Sequence, residues 1–406
     1  MSQTKAAVAD VLAVNIGSSS LKFALYGVTA DQHTETAHAS GLFEGLEPNG
    51  QPRLVVTSGS SKTEQVVVVE AGQTPIQAAL AHLKGLIHPL LDGRQLLAVA
   101  HRIVHGGGLY DTPVVLNEAH LQELARFNSL APLHQPHNLA GAQAFMQAFA
   151  DTPQVACFDT AFHSTQGELE THFGLPLALF EKGIRRYGFH GLSYEYVSGR
   201  LAQKTQAATK RLLMAHLGNG SSLCAAINGK SVASTMGFSA LDGLIMGTRS
   251  GSVDPGVLLH LLEQGQTPAQ ITKLLYKESG LLGLSGLTAD MRTLKQSDDP
   301  RSRLAIALYA HRIRRESGAL TAVMQGLDCM AFTGGIGEHD ADLRANVCAR
   351  LGHLGLRIDA QANQQANGSE TMAIHASNSA VEIWVIPTDE GRVAAESALA
   401  CLAKPV

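Results

Sequence analysis

Apolar and polar positions along this chain fall into two stretches of the same design. VLAVNIGSSSLKFALYG, from Val11 to Gly27, is an apolar run, a tip of small residues and a second apolar run. LLMAHLGNGSSLCAAINGK, from Leu212 to Lys230, repeats that design two hundred residues later. Short, β-rich apolar runs of this kind predict strands at 11–16, 20–27, 66–70, 96–100, 154–158, 212–217, 222–227, 328–333 and 382–386. Longer runs with helical spacing predict helices at 74–87, 117–128, 138–150, 267–279, 299–325 and 391–403. Thr74-Pro75 and Thr267-Pro268 read as N-cap and first-turn pairs.

Strands alternating with helices define an α/β class. The two Gly/Ser hairpins suggest a duplicated domain, one hairpin opening each half. The expected first half is 1–159, rejoined by the final helix (391–406), and the second is 160–390, with the boundary just after the strand QVACF.

Composition narrows the chemistry. The 406 residues are 45% hydrophobic and 16% charged, with a net charge of −4. That is ample for a large core and implies no basic face for nucleic acid. An anion must therefore be held by local devices. Neither a signal pattern nor an apolar run of membrane-spanning length is evident, and the five cysteines form no C-x-x-C pair. A soluble, cytoplasmic protein with thiol cysteines is expected. Of the 18 histidines, His134 and His137 lie three apart, but Pro136 between them argues against a shared helix face.

The common phosphate loops, G-x-x-x-x-G-K-[ST] and strand–G-x-G-x-x-G–helix, are missing. The hairpin tips offer another device: backbone N–H groups and hydroxyls gathered in one concavity, with Lys22 following the first. A third cluster, Gly334-Gly335-Ile336-Gly337 in CMAFTGGIGEHDADLRANV, joins an apolar run to a helical one. Such glycines admit a flat ring or a phosphate. Together the three clusters suggest ATP held between two half-domains.

The series VNIGSSSLKF, HRIVHGG, LAPLHQPHN, FDTAFH, RRYGFHGLSYEYV, AHLGNGSS, MGTRSGSVDPG, SGLLGLSG, FTGGIGE and VIPTDE, in that order, resembles the acetokinase family over nearly the whole length. The resemblance implies the duplicated actin-like ATPase fold with ribonuclease H-like halves and an interdomain cleft. It also implies a homodimer that reversibly phosphorylates acetate with Mg-ATP. By the same resemblance, Arg102 binds the acetate carboxylate, Arg249 and His190 act on the migrating phosphoryl group, and Asp159 carries an acid–base label. Because acetate has no proton to lose at pH 7, an arginine-orienting or metal-water role suits Asp159 better. Asn15 and Glu390 match the Mg²⁺ site, with Mn²⁺ as a substitute. Ser18, Ser20 and Lys22 match phosphate contacts, and His216, Leu217, Gly218, Asn219 and Gly220 form the second phosphate loop. Asp290, Met291 and Arg292, with Gly334, Gly335, Ile336, Gly337 and Glu338, are expected near adenosine. His134 is a supporting histidine.

The residues matching the acetate-methyl pocket are Val104, Leu133, Phe189 and Ala240, where the family usually has proline for the last. The loss of ring carbons suggests room for propionate. Three further departures are Tyr194 for the usual His, Ser252 for Asp, and Asp389 with Gly391 for Asn and Glu. A short-chain carboxylate kinase, a nucleotide-binding scaffold and a pyrophosphate-dependent enzyme stay open as alternatives.

Overall fold

The computed structural model describes residues 7–31, 33–132 and 134–403. Contacts divide the chain into two compact units: residues up to Ala161 together with those from Asp389 onward, and Phe162–Thr388. Among the described residues, the first unit carries β1 (Ala7–Ile16), β2 (Ser20–Thr29), β3 (Thr34–Glu44), β4 (Arg53–Ser58), β5 (Ser61–Val66), β6 (Gln95–Ile103), β7 (Val114–Val115) and β8 (Gln154–Phe158). They form one sheet in the order β5-β4-β3-β2-β1-β6-β8-β7. The second unit carries β9 (Arg211–Leu217), β10 (Ser221–Ile227), β11 (Lys230–Ser234), β12 (Cys329–Thr333), β13 (Met372–Ala373) and β14 (Glu382–Val385), in the order β11-β10-β9-β12-β14-β13.

The two sheets share one plan. β3-β2-β1 is an antiparallel meander, and β6 and β8 continue it in parallel. β11-β10-β9 followed by β12 and β14 does the same. In each, a two-residue antiparallel strand closes the far edge.

Apolar runs are unbroken here because both faces of the central strands are covered. In β9, Leu213, Ala215 and Leu217 pack with Ala305, Tyr309 and Ile313 of helix Pro300–Val323. Leu212 and Met214, one residue out of phase, pack with Tyr194, Val197 and Leu201 of helix Gly191–Ala202. In the first unit, Leu12 and Val14 meet Leu83 of helix Pro75–Leu91 and Phe145 of helix Gln135–Ala148. Helix Glu390–Leu402 packs against the same sheet, where its Ala394 carbonyl accepts a hydrogen bond from Cys157 Sγ at 3.5 Å.

Several elements differ from the sequence reading. Residues 67–70 are not strand; β5 ends at Val66. Strands β3 and β4 and helix Gly191–Ala202 add to the predicted elements. Pro136 does not separate the two histidines by breaking a helix. It sits in the first turn of Gln135–Ala148, where a missing N–H costs nothing, and His134 is the N-cap residue. Thr74 and Thr267 do cap their helices, each in a reciprocal capping box. Among the described residues, no helix is long and apolar enough to cross a membrane.

Candidate active site

The carboxyl ends of parallel strands are where open α/β sheets place their chemistry. In the first unit, β1, β6 and β8 end together. Asn15 pairs with Lys22 across the hairpin, Val14 with His101, and Arg102 with Cys157. Paired residues share a face, so Lys22, Asn15, Arg102 and, two residues beyond Cys157, Asp159 belong to one face of the sheet. Helix Glu390–Leu402 packs on that face. Ser18 is exposed in the hairpin turn, and Ser20 shares the Lys22 face.

Arg102 donates from Nε to Asp159 Oδ1 at 3.0 Å and from Nη2 to Oδ2 at 2.6 Å. Glu390 approaches within 3.7 Å. Burial opposes the charge on Arg102, but the two carboxylates outweigh it and raise the arginine's pKa above its ordinary value. The Asp159 pair occupies one edge of the guanidinium, and the end formed by Nη1 and Nη2 is the geometry for a second carboxylate. Asn15 and Glu390 carry oxygen donors of the kind that a hard divalent cation takes.

Two residues outside the sequence prediction fix this corner. Asn138 Nδ2 donates to the Ile16 carbonyl at 2.6 Å, and its Oδ1 accepts from Val104 N at 3.0 Å. Gln135 accepts from His105 N and donates to the His105 carbonyl. Both are buried in the first turn of helix Gln135–Ala148. In LHQPHN the Asn138 amide ties the hairpin to the end of β6, and the Gln135 amide holds the His105 backbone that follows. A buried amide bound to two backbone groups leaves no periodicity in a sequence. Val104 itself is buried, and Leu133 lies outside the described residues.

In the second unit, β9 and β12 are parallel neighbours, with Thr333 opposite His216. Their register brings Gly218–Gly220 and Gly334–Gly335 to one end of the sheet. A Cβ on Gly220 would stand 3.2 Å from His190 Nε2 and 3.4 Å from Arg249 Nη2. The structure therefore gathers His190, Arg249 and the second glycine tip in one place. His190 has φ +60°, an uncommon state for a residue with a side chain. It is held by Ser222 Oγ, 2.8 Å from its Nδ1, and by the His216 ring, stacked at 4.3 Å between centroids. His163 donates from Nε2 to the carbonyl of buried Phe189 at 2.9 Å, fixing the preceding peptide. Arg249 Nη1 donates to the Ala240 carbonyl at 2.7 Å. Its loop rests on Gly280, at φ +65°, where a side chain would collide with the Met246 carbonyl.

Beside Gly218 and Gly335, within the second unit, is a cavity of about 530 Å³ lined by Gly218, Asn219, Asp290, Met291, Arg292, Gly335 and Ile336. All seven were expected from the sequence. Lys295, His339 and Asp340 also line it and were not; Lys295 Nζ donates to Asp340 at 2.7 Å. Leu217 and Gly337 are buried behind the wall. Glu338 faces its own loop, accepting from Gly334 N at 2.9 Å, Thr388 N at 3.1 Å and Thr333 Oγ1 at 3.3 Å.

The departures have local partners. Ser252 Oγ donates to Asp242 at 2.6 Å, and Asp242 also accepts from Arg186 at 3.0 Å. An aspartate at 252 would set two carboxylates against each other. Gly391 leaves space for Tyr26, whose hydroxyl donates to Asp389 at 2.6 Å, and a Cβ at 391 would collide with that hydroxyl.

A doubled sheet of this topology, with glycine loops and basic groups at the carboxyl ends of its parallel strands, is the actin-like ATPase fold, and the class is a phosphotransferase. The acetokinase family model matches residues 10–396, and the chain belongs to that family. Its relatives include the acetate kinase of Rhodopseudomonas palustris (strain ATCC BAA-98 / CGA009), 47% identical over 94% of this chain and 96% of that one. Another is the acetate kinase of Nitrobacter hamburgensis, 40% identical over 97% and 96%. Among solved structures, a propionate kinase from Francisella tularensis superposes with TM-score 0.86 at 35% identity, covering 96% of this chain and 98% of that one. Porphyromonas gingivalis acetate kinase gives TM-score 0.84 at 34% identity, with coverages of 97% and 100%.

Proposed function

We propose that this protein transfers the γ-phosphoryl group of Mg-ATP to acetate by direct in-line displacement, reversibly giving ADP and acetyl phosphate. The observation that carries this reading is the approach of His190 Nε2 and Arg249 Nη2 to Gly220. The phosphoryl group in flight spreads charge over three equatorial oxygens, and one guanidinium and one imidazole N–H meet that charge.

Arg102 takes the acetate carboxylate at its Nη1/Nη2 end. Asp159, committed to the other edge, orients the guanidinium and removes no proton. Ser18, Ser20 and Lys22, with the loop His216–Gly220, take the phosphates. Asp290–Arg292 and Gly334–Ile336 take adenosine, while Gly337 and Glu338 brace that loop. Asn15 and Glu390 hold Mg²⁺, or Mn²⁺ in its place, which when bound neutralises phosphate charge. The protein works as a homodimer, supported by helix Pro255–Glu263, whose Val257, Leu259 and Leu262 are all exposed. A cytoplasmic setting belongs to the same proposal; the five cysteines are thiols.

Trapping the product with hydroxylamine tests the reading. Mg-ATP and acetate are expected to yield acetohydroxamate. Hydrolysis of ATP with no hydroxamate from C2–C4 acids would replace the kinase with a nucleotide-driven scaffold. Ala240, smaller than the family's usual proline, favours propionate as a second substrate. Ala240→Pro is expected to lower kcat/KM for propionate relative to acetate, by up to the roughly 10–200-fold that a methylene commands. An unchanged ratio removes propionate.

A further inference from the structure

We propose that Tyr194 is a positioning residue for the reaction: acting through Ser222, it holds His190 as the tautomer that carries its proton on Nε2, facing the Gly220 tip. This rests on the reading of His190 as a donor to the migrating phosphoryl group.

Tyr194 lies one helical turn after His190 and is fully buried. Its hydroxyl meets Ser222 Oγ, and Ser222 Oγ lies 2.8 Å from His190 Nδ1. Ser222 is itself buried and holds one hydrogen between a phenol and a ring nitrogen. If His190 Nδ1 carried the proton, Ser222 would accept it; Ser222 would then either donate to the phenolic oxygen and leave the Tyr194 hydrogen without its acceptor, or accept from both rings and leave its own buried hydrogen unplaced. The consistent arrangement runs the other way. Tyr194 O–H donates to Ser222, Ser222 O–H donates to His190 Nδ1, and the imidazole proton lies on Nε2. Nε2 is the atom beside Gly220.

The neighbouring imidazole is set the opposite way. Ser193 gives its hydrogen to Thr388 Oγ1 at 3.0 Å and so accepts from His216 Nδ1 at 2.8 Å. The titratable groups around the relay are His216 stacked on His190, Arg249 across Gly220, and His163 and Cys224 beside Tyr194. Burial holds the phenol neutral well beyond the ordinary tyrosine range, so the relay keeps its direction at working pH.

The test compares the wild type with Tyr194→Phe, Tyr194→His, Ser222→Ala and His190→Ala. It reads kcat, KM for ATP and KM for acetate across pH 5.5 to 9, together with ¹⁵N shifts of the histidine rings. In the wild type the His190 shifts should report a protonated Nε2 and an acceptor Nδ1. Tyr194→Phe should mix the tautomers and lower kcat about tenfold, the worth of roughly one hydrogen bond, with KM for ATP within about twofold. Ser222→Ala should do the same. Tyr194→His should recover most of kcat and add an ionisation to the acidic limb. If His190→Ala is inactive while Tyr194→Phe keeps the wild-type kcat and tautomer, the relay is overturned and the role of His190 stands. If His190→Ala keeps full activity, that role falls and the relay with it.

Discussion

A methyl group on residue 220 would enter the space between an imidazole and a guanidinium. Gly220→Ala is therefore expected to lower kcat by about 10²-fold, because a displacement near 1 Å at the reacting centre is enough. The melting temperature should stay within a few degrees, since the tip is partly exposed. Steady-state kinetics beside thermal melting checks both. Arg102→Lys is expected to raise KM for acetate strongly and KM for ATP little, because an ammonium cannot hold Asp159 on one edge and a substrate carboxylate on the other. At this scale the sequence was most legible where glycine, arginine and histidine occur in fixed motifs. It was silent on Asn138, Gln135 and Lys295, whose roles depend on backbone groups and partners brought near only by folding.

At the scale of elements, the hairpins, the capped helices and the core strands were readable because each leaves a local signal. The outer strands were not. β5, SKTEQV, is exposed along its whole length, so no apolar alternation marks it. Helix Gly191–Ala202 opens with glycine and mixes Ser, Val and Tyr, which weakens any helical preference. Its stability comes from packing on β9 and β12. The link between the helix Gln135–Ala148 and the first hairpin is testable. Asn138→Ala should cost roughly 2–4 kcal/mol by leaving the Ile16 carbonyl and the Val104 amide buried without that partner. Denaturant titration measures it.

Buried imidazoles give the fold a pH signature. Burial lowers the pKa of His101, His105 and His163 to about 4 from an ordinary 6.5. In that window the unfolded chain binds protons that the folded chain refuses. The stability each neutral ring contributes is complete above pH 6.5 and is lost as pH falls toward 4. Unfolding free energy should drop across that range, and His101→Gln should reduce the slope by about one proton. A flat profile from pH 7 to 4.5 would contradict the burial of these rings in neutral form.

Across the whole molecule, one sheet plan is used twice, and the repeat was visible because both copies keep a glycine-serine tip between their first two strands. Glycine and serine let such a tip present backbone amides with little steric cost. The exposed face of helix Pro255–Glu263 was not anticipated, because an apolar helix reads as core until its packing is known. Leu259→Glu is expected to halve the mass measured by sedimentation equilibrium if that face joins two copies. An unchanged dimer would move the interface elsewhere, and a wild-type monomer would end the dimer proposal.

The chemistry comes down to one group. Arg249→Ala should lower kcat for acyl phosphate formation from Mg-ATP and acetate by roughly 10³–10⁵-fold, as removal of a transition-state guanidinium does in other phosphoryl transfers, with KM for ATP changed only a few-fold. A variant that kept kcat within a factor of ten of the wild type would contradict the assignment of phosphoryl transfer to the second glycine tip.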